Sequence, residues 1–273
     1  MTLVIPFTQV DAFADAPFTG NPAAVMQLDT WLPDAVLQAI AAENNLAETA
    51  FTVALPEGAG ADYALRWFTP TIEVALCGHA TMASGHVLIG AREQVLFRTR
   101  QAGDLLVTRA GDGLALRLPE WGARPKALPD FPTPLGGEVQ ETLWHDGGYA
   151  VFVYPDEAAI RALEPDFGAL RGIGNVLLIA TAPGQATDVV SRVFLPGGGV
   201  DEDPVTGAAH CVIAAYWAQR LGRPDFTACQ ASARGGYLNC RLDAGRRDGE
   251  GQDGRSVTLT GRCRTVIRGD YLL

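Results

Sequence analysis

The sequence predicts an α+β protein built from two related halves. Short alternating runs typical of strands recur along the chain, and two small-residue apolar segments, 80–89 and 208–221, predict buried helices. A Pro- and Gly-rich segment, 120–137, lacks hydrophobic periodicity and indicates a linker. A faint internal repeat relates the two sides of this linker. We therefore expect one domain over residues 1–122 and a second over 123–273, whose last strand can return to the first domain.

In the first half, two strands are predicted to pair as a hairpin and to precede a helix. The strands cover 7–13 and 24–28, with turn residues between them. Helical spacing follows over 33–43, and Asn44 and Asn45 mark its end, because Asn tolerates the left-handed conformation. Further strands are predicted, in order, at 46–55, 63–68, 95–99, 104–108 and 114–118.

The second half repeats this order of elements. A short helix is predicted at 156–163, before the longer apolar helix. The predicted strands lie at 149–154, 176–180, 191–194, 227–231, 237–242 and 256–260. Each half therefore combines strands with one apolar helix that a sheet could wrap.

The internal repeat is visible in one short motif and its surroundings. Residues 66–70 read RWFTP and residues 192–196 read RVFLP, an offset of 192 − 66 = 126 residues. At this offset Cys77 corresponds to Asp203, and each stands just before an apolar helix. Two such modules facing each other would form a cleft lined by both helix starts. The unpaired N–H groups of a helix start favour a bound carboxylate.

Composition and charge exclude several classes of protein. Hydrophobic residues make up 48% of the chain, enough for a packed core. No apolar run approaches the roughly 20 residues of a membrane span, and no signal-peptide pattern is visible. The net charge of -10 disfavours nucleic-acid binding. The 5 cysteines, without CxxC pairs, indicate reduced thiols in the cytoplasm rather than a disulfide framework or zinc ribbon.

Three residues are candidates for acid/base chemistry. Glu48 lies in an apolar segment, where a carboxyl group has a raised pKa; the alternative is a strand-edge Glu facing water. His79 is either a proton carrier or a buried histidine bonded to a backbone carbonyl. Asp203, followed by Pro204, can instead be the N-cap of the second helix. His210, inside that helix, is expected to serve packing.

Thiol, metal and nucleotide chemistry find little support in the sequence. A thiol-pair epimerase needs two opposed cysteines, but the repeat partner of Cys77 is Asp203, and Cys211 lies inside a helix. Cys77 and His79 alone are too few ligands for a metal site. The segment 249–254 has GxGxxG spacing, but a predicted strand follows it, so we expect a hairpin loop. We expect neither a metal ion nor a cofactor.

Seven segments, in order from the first strand to near the C-terminus, resemble the PhzF-like (phenazine biosynthesis-like) family, which has the diaminopimelate epimerase fold. They are 10–13, 18–22, 45–49, 66–70, 77–81, 202–207 and 233–236. The resemblance implies two domains, each a curled mixed β-sheet around a central helix, with the active site between them. It also implies a cofactor-free, metal-free isomerase, often a homodimer. The phenazine enzyme of this family moves a proton along the ring of trans-2,3-dihydro-3-hydroxyanthranilate.

The resemblance also implies roles for individual residues. Glu48 becomes the catalytic acid/base, while His79 and Asp203 line the site, hold the substrate and relay protons. The two helix starts supply the expected substrate-binding residues Gly78, Ala80, Gly207 and Ala208. The family often has Ser where this chain has Ala208, and the absence of that hydroxyl weakens the case for the phenazine substrate.

The leading hypothesis is an isomerase that shifts a proton on a small carboxylate substrate. Two alternatives remain open. The first is an amino-acid racemase or epimerase in which Glu48 and Asp203 act as the opposed bases. The second is a non-catalytic binding or scaffold protein on the same fold, in which Glu48 would point away from any site.

Overall fold

The structure, a computed structural model, describes residues 3–129, 131–247 and 253–273. The predicted loop at 249–254 therefore lies largely outside the described residues. The chain divides into two compact units: Met1–Arg117 with Thr260–Leu273, and Leu118–Leu259. The C-terminal strand thus belongs to the first unit.

The secondary structure follows the predicted alternation of strands and helices. The first elements are β1 (Val4–Ala12), β2 (Asn21–Leu28), α1 (Asp34–Asn44), β3 (Glu48–Ala54), β4 (Tyr63–Phe68), β5 (Glu73–Val74), α2 (Gly78–Leu88), β6 (Gln94–Thr99), β7 (Asp104–Ala110) and β8 (Gly113–Pro119). The next are β9 (Arg124–Pro125), α3 (Pro132–Leu135), β10 (Glu141–His145), β11 (Tyr149–Val153), α4 (Glu157–Arg161), α5 (Phe167–Arg171), β12 (Leu177–Pro183) and β13 (Val189–Leu195). The last are β14 (Val200–Asp203), α6 (Gly207–Leu221), β15 (Asp225–Gln230), β16 (Gly236–Arg247), β17 (Asp253–Gly261) and β18 (Cys263–Leu272).

The first unit wraps a mixed sheet around α2. Strand β1 is antiparallel to β18 and β2, β2 is parallel to β3, and β3 is antiparallel to β4. Strand β4 is antiparallel to β5 and parallel to β6, which is antiparallel to β7. Helix α2 contacts β1, β2, β3, β7 and β18, and most of its residues are buried. A helix with small residues on all sides can be enclosed in this way.

The second unit has the same sequence of pairings. Strand β10 is antiparallel to β11, β11 is parallel to β12, and β12 is antiparallel to β13. Strand β13 is antiparallel to β14 and parallel to β15, which is antiparallel to β16. Helix α6 contacts β11 and β16, and its Trp217 donates a hydrogen bond to Thr181 on β12 at 3.0 Å. Each unit is therefore a mixed sheet around one central helix.

The internal repeat is present, but its register differs from the predicted one. Arg66 forms a two-point ion pair with Glu73 on the next strand, seven residues on, and Arg192 does the same with Glu202, ten residues on. The longer turn after β13 contains a 3-10 helix. This insertion changes the offset before the central helices, which begin at Gly78 and Gly207. The equivalence of Cys77 with Asp203 is therefore wrong.

Helix boundaries agree closely with the local sequence signals. Asn45 adopts a left-handed conformation (φ 47°) after α1, as the Asn pair predicted. On α1, Leu37, Ile40 and Ala41 are buried against the sheet. No helix among the described residues is long and apolar enough to span a membrane.

Candidate functional site

Glu48 is the first residue of β3, at the point where the chain returns from α1 to the sheet. It lies beside Ala23 of the parallel strand β2. The following residues Thr49, Ala50 and Phe51 are buried, so the start of β3 is fixed by packing on both sides. The Glu48 side chain is only 18% exposed. The interpretation of Glu48 as a strand-edge residue facing water is therefore wrong.

His79 lies in the first turn of α2, where the buried helix presents a polar side chain to β2 and β3. Cys77 is the N-cap residue in an extended conformation, and Gly78 is the first helical residue. The carbonyl of Cys77 accepts a hydrogen bond from the Thr81 hydroxyl at 2.6 Å, which fixes the start of the helix. His79 is 4% exposed. The helix start thus holds an imidazole in the interior of the first unit.

Glu48 and His79 meet as a carboxylate–imidazole pair. Glu48 Oε2 lies 3.0 Å from His79 Nε2. On the opposite edge of the ring, Asn21 Nδ2 lies 3.2 Å and Cys77 Sγ 3.5 Å from His79 Nδ1. Among the described residues, Glu48 Oε2 and His79 Nε2 are both buried and have no partner at normal hydrogen-bond angles. Both atoms can therefore still form a hydrogen bond. Burying such atoms without a partner costs free energy, so a bound molecule that bonds to them would offset this cost.

Burial and charge set the protonation of this cluster. Burial, and then the Glu48 carboxylate, raise the pKa of Cys77 to about 11, so its thiol is neutral at pH 7. Burial by itself would lower the pKa of His79. The negative charges available beside the ring, on Cys77 and Glu48, raise that pKa well above its usual value. Because Cys77 is neutral at pH 7, Glu48 is the partner that favours a protonated His79 there.

Glu48, Cys77 and His79 are the described group that comes closest to a metal site. Cys77 faces Nδ1 of His79, whereas Glu48 faces Nε2. One ligand atom of each residue lies within 4.8 Å of the other two, so Glu48 adds a third potential ligand to Cys77 and His79. Structural zinc sites need four protein ligands and catalytic sites three. The group reaches the ligand count of a catalytic zinc site but not the count of a structural one.

Asp203 lies at the end of β14 in the second unit and does not cap a helix. The N-cap residue of α6 is Thr206, and the capping interpretation of Asp203 is wrong. The Thr206 hydroxyl donates to Asp203 Oδ2. Gln230 on β15 accepts from Thr206 N–H at 2.8 Å and donates to the backbone carbonyl of Asp203 at 2.7 Å. This network fixes the loop that carries the carboxylate.

The expected substrate-binding residues lie in the first turns of the two central helices. Gly78 and Ala80 are buried at the start of α2, and Gly207 is buried and Ala208 half-buried at the start of α6. In the described structure, neither N-cap side chain, Cys77 nor Thr206, caps its helix. At the start of α6 the first-turn backbone N–H groups are therefore not bonded by the N-cap side chain, whereas in α2 the Ala80 N–H faces the Cys77 thiol and lowers its pKa, against the larger effect of burial.

His210 is structural, as expected. Its Nδ1 lies 2.8 Å from the Thr206 carbonyl, and its Nε2 3.5 Å from the Ser191 hydroxyl. Burial lowers the pKa of His210 to about 4, against the opposing effect of the hydrogen bond to Thr206. The ring is therefore neutral at pH 7 and supports the first turn of α6.

This lowered pKa makes stability depend on pH. The unfolded chain binds a proton at His210 near pH 6.5, while the folded chain binds it only near pH 4. The contribution of neutral His210 is thus complete above pH 6.5 and is lost as the pH falls towards 4, at a cost of about 3 kcal/mol. Urea unfolding midpoints should fall over this range, and less steeply in His210→Gln. Parallel curves for the two proteins would contradict this assignment.

The sequence analysis did not identify two residues of these hydrogen-bond networks, Asn21 and Gln230. Asn21 follows a turn and carries no motif signal of its own beyond its place in the segment 18–22. Gln230 lies at the end of a strand, where a polar residue is ordinary. Asn21 and His79 are 58 residues apart, and Thr206 and Gln230 are 24 apart. Only the folded sheet brings them together.

The duplicated α+β architecture, with a central helix in each unit, is that of the diaminopimelate epimerase-like class. The family model for phenazine biosynthesis-like proteins matches residues 10–118 and 137–269. An uncharacterized isomerase of Pseudomonas aeruginosa is 51% identical over 265 residues, covering 96% of each chain. A second uncharacterized isomerase of that organism is 45% identical over 272 residues, covering 97% of each.

Solved structures agree with the sequence comparisons. The crystal structure of a PhzF-family phenazine biosynthesis protein from Enterococcus faecalis superposes with a TM-score of 0.87 and 40% identity, covering 99% of this chain and 100% of that one. This chain belongs to the phenazine biosynthesis-like (PhzF-like) family, a family of small-molecule isomerases.

Proposed function

We propose that this protein is a cofactor-independent isomerase that shifts a proton within a small carboxylate substrate, with Glu48 as the general acid/base. The observation that carries the proposal is the buried Glu48–His79 pair, whose facing atoms lie 3.0 Å apart yet have no well-aligned hydrogen-bond partner among the described residues. Perturbed titratable groups in a buried cluster are typical of catalytic sites.

The chemistry requires one group that both accepts and donates a proton. Glu48 takes a proton from one carbon of the substrate and returns one to another carbon, while the double bond moves between them. No atom is gained or lost, and nothing is oxidised. General acid/base catalysis of this kind contributes about 10²–10⁴-fold to a rate.

His79 supports both protonation states of Glu48. Its Nε2 lies against Oε2, so a ring proton can stabilise the carboxylate before proton abstraction. The opposing Nδ1 contacts keep the ring in place. We propose that His79 stabilises the Glu48 carboxylate between proton transfers and does not itself contact the reacting carbon.

Asp203 is proposed as a second acidic group of the reaction, supplied by the second unit. The Thr206 hydroxyl and Gln230 hold its loop in place. First-turn N–H groups near Gly78 and Gly207 are proposed to bind the substrate carboxylate, because the net charge of -10 requires the attraction to be local. The family resemblance also favours a homodimer. The cysteine pattern favours the cytoplasm, the net charge of -10 disfavours nucleic acid as a partner, and the lack of a long apolar run disfavours a membrane.

A thiol-dependent amino-acid racemase is a weaker candidate, whereas a racemase with Glu48 and Asp203 as the opposed bases is distinguished by the solvent-deuterium experiment. Enzymes of that type that use thiols need one on each side of the substrate. The N-cap residue of α2 is Cys77, but the corresponding N-cap residue of α6 is Thr206. The two helix starts therefore do not supply a thiol pair.

Solvent deuterium tests the proposal directly. The protein is incubated in deuterated water with trans-2,3-dihydro-3-hydroxyanthranilate, with other dihydroaromatic acids and with free amino acids, and products are read by NMR. We expect an isomerised product of a dihydroaromatic acid with deuterium at a single carbon. Deuterium at the α-carbon of an amino acid, with inversion and no isomerisation, would favour the racemase. The absence of exchange in every compound would contradict acid/base catalysis on these substrate classes.

A further inference from the structure

Asn21 is held in place by a tightly constrained turn before β2. Gly20 has φ +68°, and a Cβ atom there would lie 2.2 Å from the carbonyl oxygen of Ala12, so only glycine fits. The buried carboxylate of Asp11 accepts a hydrogen bond from Phe18 N–H at 2.8 Å and fixes the other side of the turn. Asn21 itself is fully buried. The turn therefore delivers its side chain with little freedom.

This side chain reaches the edge of His79 that faces away from Glu48. Asn21 Nδ2 lies 3.2 Å from Nδ1, while Glu48 Oε2 lies 3.0 Å from Nε2. An amide nitrogen can only donate a hydrogen bond, so Asn21 bonds to Nδ1 only while that nitrogen carries no proton. The Cys77 thiol, 3.5 Å from Nδ1, can donate to the same nitrogen. Both neighbours of Nδ1 can donate to it, so they hold a proton on Nδ1 less well than the Glu48 carboxylate holds one on Nε2.

We propose that Asn21 is a positioning residue that sets the tautomer of His79, keeping the proton of the neutral ring on Nε2, where it faces Glu48. As His79 titrates, Nδ1 loses its proton first, and Nε2 keeps a proton to stabilise the Glu48 carboxylate. The catalytic consequence of this tautomer rests on the proposed function, but the tautomer itself does not. The two can therefore be tested separately.

NMR can show which nitrogen of the His79 ring carries the proton in the wild-type protein. Protein with ¹⁵N-labelled histidine is titrated upward from pH 6 until the His79 signals reach their neutral form, because the pKa of His79 is raised well above its usual value. His79 is assigned among the 4 histidines as the signal missing from His79→Gln. We expect the neutral form to show a protonated Nε2 and an unprotonated Nδ1. The reverse pattern would overturn the proposal.

Asn21→Asp reverses the polarity of this contact with almost no change of shape. A carboxylate oxygen accepts from Nδ1–H, so both nitrogens should stay protonated to a pH about 1–3 units higher. Asn44→Asp is the matched control, because Asn44 Nδ2 donates to Thr49 at 3.0 Å in the same unit. Equal titration shifts in the two variants would count against the proposal. If Asn21→Asp does not fold, the wild-type titration still decides.

Activity separates this inference from the proposed function. With an isomerised substrate in hand, Asn21→Asp should lower kcat and shift its pH profile more than it changes KM, whereas Asn44→Asp should leave the profile in place. If no compound exchanges deuterium but the proton lies on Nε2 and Asn21→Asp shifts the titration more than Asn44→Asp does, the proposed function fails and the assignment of Asn21 stands.

Discussion

Glu48→Gln is expected to lower the rate of solvent-deuterium exchange into the substrate by about 10²–10⁴-fold. Gln has nearly the same shape, so it can keep the place of Glu48 beside His79 Nε2, but it cannot accept or return the proton. Substrate binding should change much less than kcat, because the proton transfer occurs only in the chemical step. The measurement is the initial rate of deuterium incorporation under saturating substrate.

Glu43→Gln is the matched control for this variant. Glu43 is exposed near the end of α1, five positions before Glu48, and the same change there removes one negative charge from the same unit. We expect its exchange rate to equal that of the wild type. Exchange at the wild-type rate in a folded Glu48→Gln protein would remove Glu48 from the catalytic role.

Arg66→Met is expected to lower the free energy of unfolding by about 3 kcal/mol. The Arg66 side chain is 3% exposed and binds Glu73 through Nε and Nη2 at 2.8 and 2.7 Å, and Asp34 through Nη1 at 2.9 Å. Its guanidinium also stacks on Phe68, 5.0 Å from the ring centroid. Removal leaves the Glu73 carboxylate, whose pKa Arg66 lowers by hydrogen bonding, without its buried partner.

Arg98→Met provides the comparison, because Arg98 makes the same two-point contact at the surface. It binds Asp104 through Nε and Nη2 at 3.0 and 2.9 Å, but both side chains are well exposed, at 46% and 39%. Exposed pairs contribute about 0.2–1 kcal/mol. Urea unfolding of the two variants in parallel should show the larger shift for Arg66→Met. Equal shifts would mean that burial does not distinguish these pairs.

The order of helices and strands, and the identity of the residues proposed for acid/base chemistry, could be predicted because both depend on short stretches of sequence. Asn45 ends α1 through its own left-handed backbone. The small residues of α2 and α6 mark both as enclosed helices, and Glu48 and His79 stand out as polar groups in apolar segments. Each of these properties depends on residues that lie within a few positions of one another in the sequence.

The register of the repeat could not be predicted from one short match. The motif around Arg66 and Arg192 keeps its spacing, but the turn after β13 is longer than its counterpart. A surface turn accepts extra residues at small free-energy cost, so a fixed offset does not extend across it. The offset therefore pairs Asp203 with Cys77, whereas Asp203 ends a strand and accepts a hydrogen bond from Thr206, the N-cap residue of α6.

Local patterns along the chain were enough to predict the α+β class, the duplication and the two residues of the first unit that carry the proposed chemistry. Only folding shows that Glu48 and His79 face each other, that Asn21 lies against the far edge of the ring, and that Gln230 fixes the Asp203 loop. The physical reason is that a hydrogen bond depends on distances of about 3 Å and on angle. Those are set by the packing of strands and helices that are distant in sequence.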